Sequence, residues 1–125
     1  MTKRERALKI IAEMYGEEEI CKFIDAVSPL GDDLSKLSLE WVFADVHANS
    51  SLSHKVKELL NIAALISRGD AAPQLKNHIK MALKVGCSEK EIHDVLMQML
   101  LINGLPSVVN AKLILNEALI EHNEQ

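Results

Sequence analysis

Along almost the whole chain, apolar residues recur three and four positions apart, the spacing of helices that bury one face. The first helix opens at Thr2, where Glu5 completes a capping box, and carries Ala7, Leu8, Ile11 and Met14 on one side to a stop at Gly16. A second starts at Glu17 with an acidic first turn and directs Ile20, Phe23, Ile24 and Val27 inward. After the Ser28-Pro29-Leu30-Gly31 turn, a third helix from about Asp33 to His47 is expected to bury Leu34, Leu37, Trp41 and Val42. Ser53 caps a fourth, whose inner face reads Val56, Leu59, Leu60, Ala63 and Ile66 before Gly69 ends it. Pro73 begins the fifth, which runs to Gly86. Ser88 and Glu91 form a second capping box, opening a sixth helix through Ile92, Val95, Leu96, Met99 and Leu100. Gly104-Leu105-Pro106 separates it from the last helix, which stops before the polar tail His122-Asn123-Glu124-Gln125. No strand-like alternation or internal repeat interrupts this pattern. The fold class is therefore all-α, a bundle of about six to seven helices in one domain over residues 1–125, with consecutive helices roughly antiparallel.

The last two helices are apolar on more than one face: Met97 and Leu101, then Val108, Val109, Leu113, Ile114 and Leu115. A helix apolar all round is buried all round, so in a chain of 125 residues this pattern predicts a homo-oligomer. Composition narrows the core. Aromatics are 3% against 48% hydrophobic residues, so aliphatic side chains must do the packing. A net charge of -4 lacks the basic stripe that a nucleic acid needs. The longest apolar run, near Val95 to Leu105, is broken by Gln98 and Asn103 and is too short for a membrane span. The first residues turn amphipathic rather than into an apolar export core, which points to the cytoplasm. Two cysteines, Cys21 and Cys87, make neither a disulfide framework nor a metal cluster.

The stretch from Glu58 to His78 and then from Gly86 to Asn110 carries a more specific pattern. A basic residue precedes Glu-Leu at Lys57, Glu58 and Leu59, and His78 follows. Gly86, Ser88, Glu91 and Ile92 then form Gly-x-Ser-x-x-Glu-Ile, trailed by Gln98, Gly104, Pro106 and Asn110. In this order and at these distances the chain resembles the carboxymuconolactone decarboxylase family, within the alkyl hydroperoxidase D-like superfamily. Strong resemblance covers slightly over half of the chain. Redox members of that superfamily carry a Cys-x-x-Cys pair between the equivalents of Glu58 and His78. Here the interval from Ile62 to Asn77 has no cysteine, so neither an attacking thiolate nor a resolving thiol is present. A peroxidase-type oxidoreductase is the remotest of the alternatives.

The resemblance implies an alkyl hydroperoxidase D-like helical fold, assembly as a trimer or hexamer, and decarboxylation of a small lactone acid such as 4-carboxymuconolactone without cofactor or metal. That chemistry needs a cation or donor for the substrate's carboxylate and carbonyl, and an acid that returns a proton to carbon. His78 is the candidate for proton transfer, since imidazole titrates near working pH. Glu58 would orient it or share the proton. Lys57 would hold a carboxylate, and Gln98 is the second candidate for substrate binding. Geometry sets a condition. Glu58 lies eleven residues before Gly69 and His78 five after Pro73, so level antiparallel helices would offset them by roughly 9 Å.

Each candidate also has a plainer reading. His78 would serve equally as a surface histidine, and Glu58 as one arm of an exposed ion-pair ladder with Lys57 and His54. Gln98 would look the same at a subunit interface as in a pocket. His54, Glu58 and His78 together have the composition of a two-histidine, one-carboxylate metal site. His93, one turn after Glu89, reads as a solvated pair, and Cys87 as a small buried side chain. Ile102 stands where relatives often have Tyr, His47 where they often have Trp, and Lys57 where Arg is usual. A non-catalytic, oligomeric small-molecule binder on the same scaffold is the second reading of function.

Overall fold

The structure is a computed structural model that describes residues 1–124, and it is all-α. Helix α1 (Lys3–Tyr15), α2 (Glu18–Val27) and α3 (Asp32–Lys36) are followed by a π-helical segment over Leu37–Val46. Then come α4 (His54–Arg68), α5 (Ala72–Lys84), α6 (Glu89–Asn103) and α7 (Leu105–Asn123). Of the expected polar tail, His122 and Asn123 belong to α7 and Gln125 lies outside the described residues. Contacts divide the chain into two compact units, residues 1–52 and residues 53–125.

In the first unit, α1 buries Ala7, Ile11, Met14 and Tyr15 and packs chiefly on the π-helical segment. Tyr15 and Phe23 stack at 5.5 Å between ring centroids, and Phe43 meets both edge-on, at 6.5 Å and 5.4 Å. His47 stacks on Phe43 at 5.2 Å. The expected inward face of the third helix is not the observed one. Leu34, Leu37 and Trp41 are exposed, Trp41 to 57%, while Leu39, Phe43 and Ala44 are buried. The cause is the winding: i→i+5 bonding adds a residue to each turn, so the side chains that share a face are spaced four and five apart rather than three and four.

In the second unit, α4 and α7 each pack on both α5 and α6, and α5 and α6 touch each other only slightly. Ile62, Ile79, Ile92, Leu96 and Leu115 are almost fully buried, each contributing roughly 2 kcal/mol by removal from water. Helix boundaries follow the expected chemistry. Ser53 Oγ accepts the Val56 N–H, and Gly69 ends α4 at φ 74°, ψ -4°, a left-handed conformation that suits glycine. The start of α6 is a complete capping box: Ser88 Oγ accepts the Glu91 N–H at 3.0 Å and Glu91 Oε1 accepts the Ser88 N–H at 2.9 Å.

These bonds, with Lys55 3.3 Å away, hold the Glu91 carboxyl below its usual range. A carboxylate depressed on folding stabilises at pH values above its unfolded pKa, and the stabilisation is lost as pH falls through the folded value. Ser88→Ala should lower unfolding stability by about 1 kcal/mol in a denaturant titration. The deficit should change little in acid, because the substitution removes only the bond from the Glu91 N–H to Ser88 Oγ and keeps the backbone N–H that Glu91 Oε1 accepts.

One expected face in this unit is rotated. Val56 and Leu60, read from the sequence as inward, are exposed, and the buried positions of α4 are Lys57, Glu58, Ile62 and Ile66. Two consecutive ionisable residues occupy a buried arc that amphipathic patterning would give to leucines. Exposed apolar side chains continue over α6 and α7: Met97, Leu101 (75%), Ile102 (79%), Leu105, Val109 and Leu113. Among the described residues no helix is long and apolar enough to cross a membrane.

Candidate active site around Glu58 and His78

The Ser53 cap fixes the phase of α4 so that Lys57 and Glu58 fall in its second turn, facing the core. Glu58 is 0% exposed and continues the stripe of Ile62 and Ile66 along one side of the helix. On α5, Leu75, Ile79 and Ala82 are buried, and His78 stands at the edge of that face with its side chain 32% exposed. His78 Nδ1 lies 2.9 Å from Glu58 Oε2. The offset of level antiparallel helices therefore does not apply: α5 passes α4 so that the two side chains meet directly, with no bridging water required.

An ionised carboxylate can only accept, so Nδ1 carries the hydrogen and donates it to Glu58. That contact orients the ring, and the His78 side chain remains 32% exposed. Lys57 adjoins the pair and is 7% exposed. Burial pushes its ammonium below the usual lysine range, and the nearby Glu58 carboxylate only partly offsets this. A carboxylate and a histidine meet, and Lys57, next to Glu58 in the chain, is buried as well. Buried ionisable groups at this density are costly to stability and cluster where chemistry is done.

The other candidates separate from this pair. His54, one turn before Glu58 on α4, does not join it. Among the described residues no three His, Cys, Asp or Glu side chains converge closely enough to hold a metal ion. Gln98 lies in a hollow between α4 and α6 that neither Glu58 nor His78 lines. His93 does not pair with Glu89; its Nδ1 faces Lys112 Nζ of α7 at 3.4 Å, and because lysine only donates, that nitrogen accepts.

Cys87 is buried, and its Sγ contacts the Lys55 carbonyl oxygen at 3.7 Å, tying the approach to α6 onto the first turn of α4. Burial pushes its thiol above the ordinary range, Glu91 and Glu58 add to this, and Lys55 opposes it. A buried thiol held protonated is a poor nucleophile. Native protein treated with iodoacetamide should be alkylated at exposed Cys21 and spared at Cys87, with Cys87 labelling only on unfolding, as read by mass spectrometry.

The burial of Lys57 was not legible in the sequence, where a lysine next to a glutamate near a helix start suggests solvent. The one available signal was the excess of charge on the second turn of α4, which forces either a broken amphipathic pattern or a functional one.

Comparison with known proteins extends this picture. The model of the carboxymuconolactone decarboxylase family matches residues 32–117, a span that includes Lys57, Glu58, His78 and Gln98. An uncharacterised 15.0 kDa protein from the nqo9–nqo10 intergenic region of Paracoccus denitrificans is 32% identical over 88 residues. That match takes in 70% of this chain and 66% of the relative's length.

Proposed function

The chain belongs to the carboxymuconolactone decarboxylase family, and from that premise we propose that it is a carboxy-lyase for a small lactone acid of the 4-carboxymuconolactone kind. The observation that carries the reading is the 2.9 Å contact between His78 Nδ1 and the fully buried carboxylate of Glu58. Cleavage of the carbon–carboxylate bond releases carbon dioxide and leaves its electron pair conjugated through the ring double bond to the lactone carbonyl. The double bond shifts as a ring carbon takes up one proton. His78 supplies that proton from the nitrogen opposite Glu58, and solvent restores it. Glu58 is a positioning residue: it holds the ring and offsets the positive charge of the protonated imidazole. Lys57 attracts the substrate's negative charge, a role its burial beside Glu58 supports. No metal or cofactor enters this scheme.

The same reading takes the working form to be a homo-oligomer, trimer or hexamer, supported by the exposed apolar run from Met97 to Leu113. Loss of ultraviolet absorbance of 4-carboxymuconolactone on incubation with the purified protein tests the activity. Absence of turnover in the wild-type protein would leave family membership intact and remove the reaction.

A further inference from the structure

A cavity of about 120 Å³ lies where the end of α4, the start of α5 and the first turns of α7 meet. The side chains at this junction are small: Gly69, Ala71, Ala72 and Ala111 leave a space that Ile66 and Leu75 wall but do not fill. Ile66, Ala71, Leu75 and Ala111 are buried, so this is an indentation in the packed unit and not an uncovered helix face. It is separate from the site of Glu58 and His78. Ile66 and Gly69 lie eight and eleven residues beyond Glu58 on the chain, roughly 12–16 Å at 1.5 Å per residue.

The cavity is also turned away from the exposed apolar residues. At about 100° per residue, its α7 wall (Ser107, Asn110, Ala111 and Ile114) stands roughly 150° around the helix from Leu105, Val109 and Leu113. On α4, Leu65, Ile66 and Gly69 stand at about the same angle from exposed Val56 and Leu60. The adjoining seam of α5 and α7 is polar, closed by Lys76 and Lys80 on Glu121. A second copy seated on the apolar faces would leave this mouth open.

Three properties decide what fits. No ionisable group lines the cavity, so nothing would offset the desolvation of a charged ligand. Its polar side chains are Ser107 and Asn110, one turn apart on α7, and neither is engaged in a side-chain hydrogen bond among the described residues. Water is a poor filler. At roughly 30 Å³ each, about four waters would need two to four partners apiece, and the remaining side chains of the wall are aliphatic. The size admits one ring, since a dry cavity of roughly 150 Å³ takes benzene, and it excludes a second ring or a docked helix. We propose that the cavity binds a single small uncharged ring bearing a hydroxyl group, of the phenol class. The ring lies against Ile66, Leu75 and Ala111, and the hydroxyl exchanges hydrogen bonds with Ser107 and Asn110. The proposal does not depend on the decarboxylase reading.

The test titrates 4-fluorophenol into the full-length protein and follows the fluorine resonance of the ligand. Saturable binding at one ligand per chain is expected, with neither 4-fluorobenzoate nor 4-carboxymuconolactone competing. Ala72→Leu fills the mouth from an exposed position at the start of α5, so it spares the core, and should weaken binding by roughly tenfold or more. Ser107→Ala and Asn110→Ala should each weaken it about two- to tenfold. Fluorobenzene, the same ring without the hydroxyl, should bind the wild-type protein, be indifferent to those two changes and still be excluded by Ala72→Leu. Absence of saturable binding up to roughly 10 mM would overturn the proposal and leave the cavity to water. So would binding that Ala72→Leu does not weaken, binding of 4-fluorophenol that ignores both Ser107→Ala and Asn110→Ala, or competition by the lactone acid.

Discussion

His78→Ala is expected to lower kcat on 4-carboxymuconolactone by roughly a hundred- to ten-thousand-fold, the range contributed by one well-placed proton-transfer group. That corresponds to roughly 3–5 kcal/mol of lost transition-state stabilisation at 1.36 kcal/mol per tenfold. KM should change less, because the imidazole acts on a carbon that becomes basic only after carbon dioxide departs. The helical circular dichroism signal should persist, since His78 stands at the edge of the packed face of α5 and its neighbours Leu75, Ile79 and Ala82 keep their contacts. Removing the ring leaves the Glu58 carboxylate buried without its histidine, which should cost about 1–3 kcal/mol of unfolding stability. A variant with wild-type kcat would remove His78 from the mechanism whatever its effect on folding.

The second large effect is expected at Glu58 and needs two substitutions to separate its roles. Glu58→Ala opens a cavity in a fully buried position, strands the His78 Nδ1–H and leaves Lys57 as a buried cation without its neighbouring charge. Breaking such an arrangement from one side should cost about 3–5 kcal/mol, seen as a fall in the denaturation midpoint. Glu58→Gln keeps the volume and an acceptor oxygen. It should retain most of the stability yet lower kcat by roughly a hundredfold, because the protonated ring loses its counter-charge. A structural role alone predicts that kcat tracks stability in both variants. Full activity in Glu58→Gln would sink the positioning role.

The helix ends were legible because they depend on chemistry within four residues of chain. The Thr2, Ser53 and Ser88 side chains cap helices where the sequence placed them, and Gly69 closes α4 as its position implied. Faces were legible only where the winding is regular and the buried side is apolar. The π-helical segment breaks the first condition and puts Trp41 outward. On α4 the second condition fails, because Lys57 and Glu58 take the inner arc and Val56 and Leu60 are left outside. That Glu58 meets His78 depends on how α4 and α5 cross, which is set by the whole packed unit and not by the three-residue link between them. The burial of Lys57 belongs to the same class. Amphipathic patterning reads a lysine as outward and errs where a site has claimed it.

The wide winding from Leu37 to Val46 also bears on how this chain tolerates changes in its own length. In an ordinary α-helix, losing one residue turns everything beyond it by about 100° and pulls it back by about 1.5 Å, so one flank must leave its packing. A segment that already takes an extra residue per turn has another course open to it. It can tighten locally to the commoner pitch and absorb a deletion while both flanks hold their places. Single-residue gaps among relatives of this chain should therefore gather between Leu37 and Val46, within a helical stretch and not only in the loops.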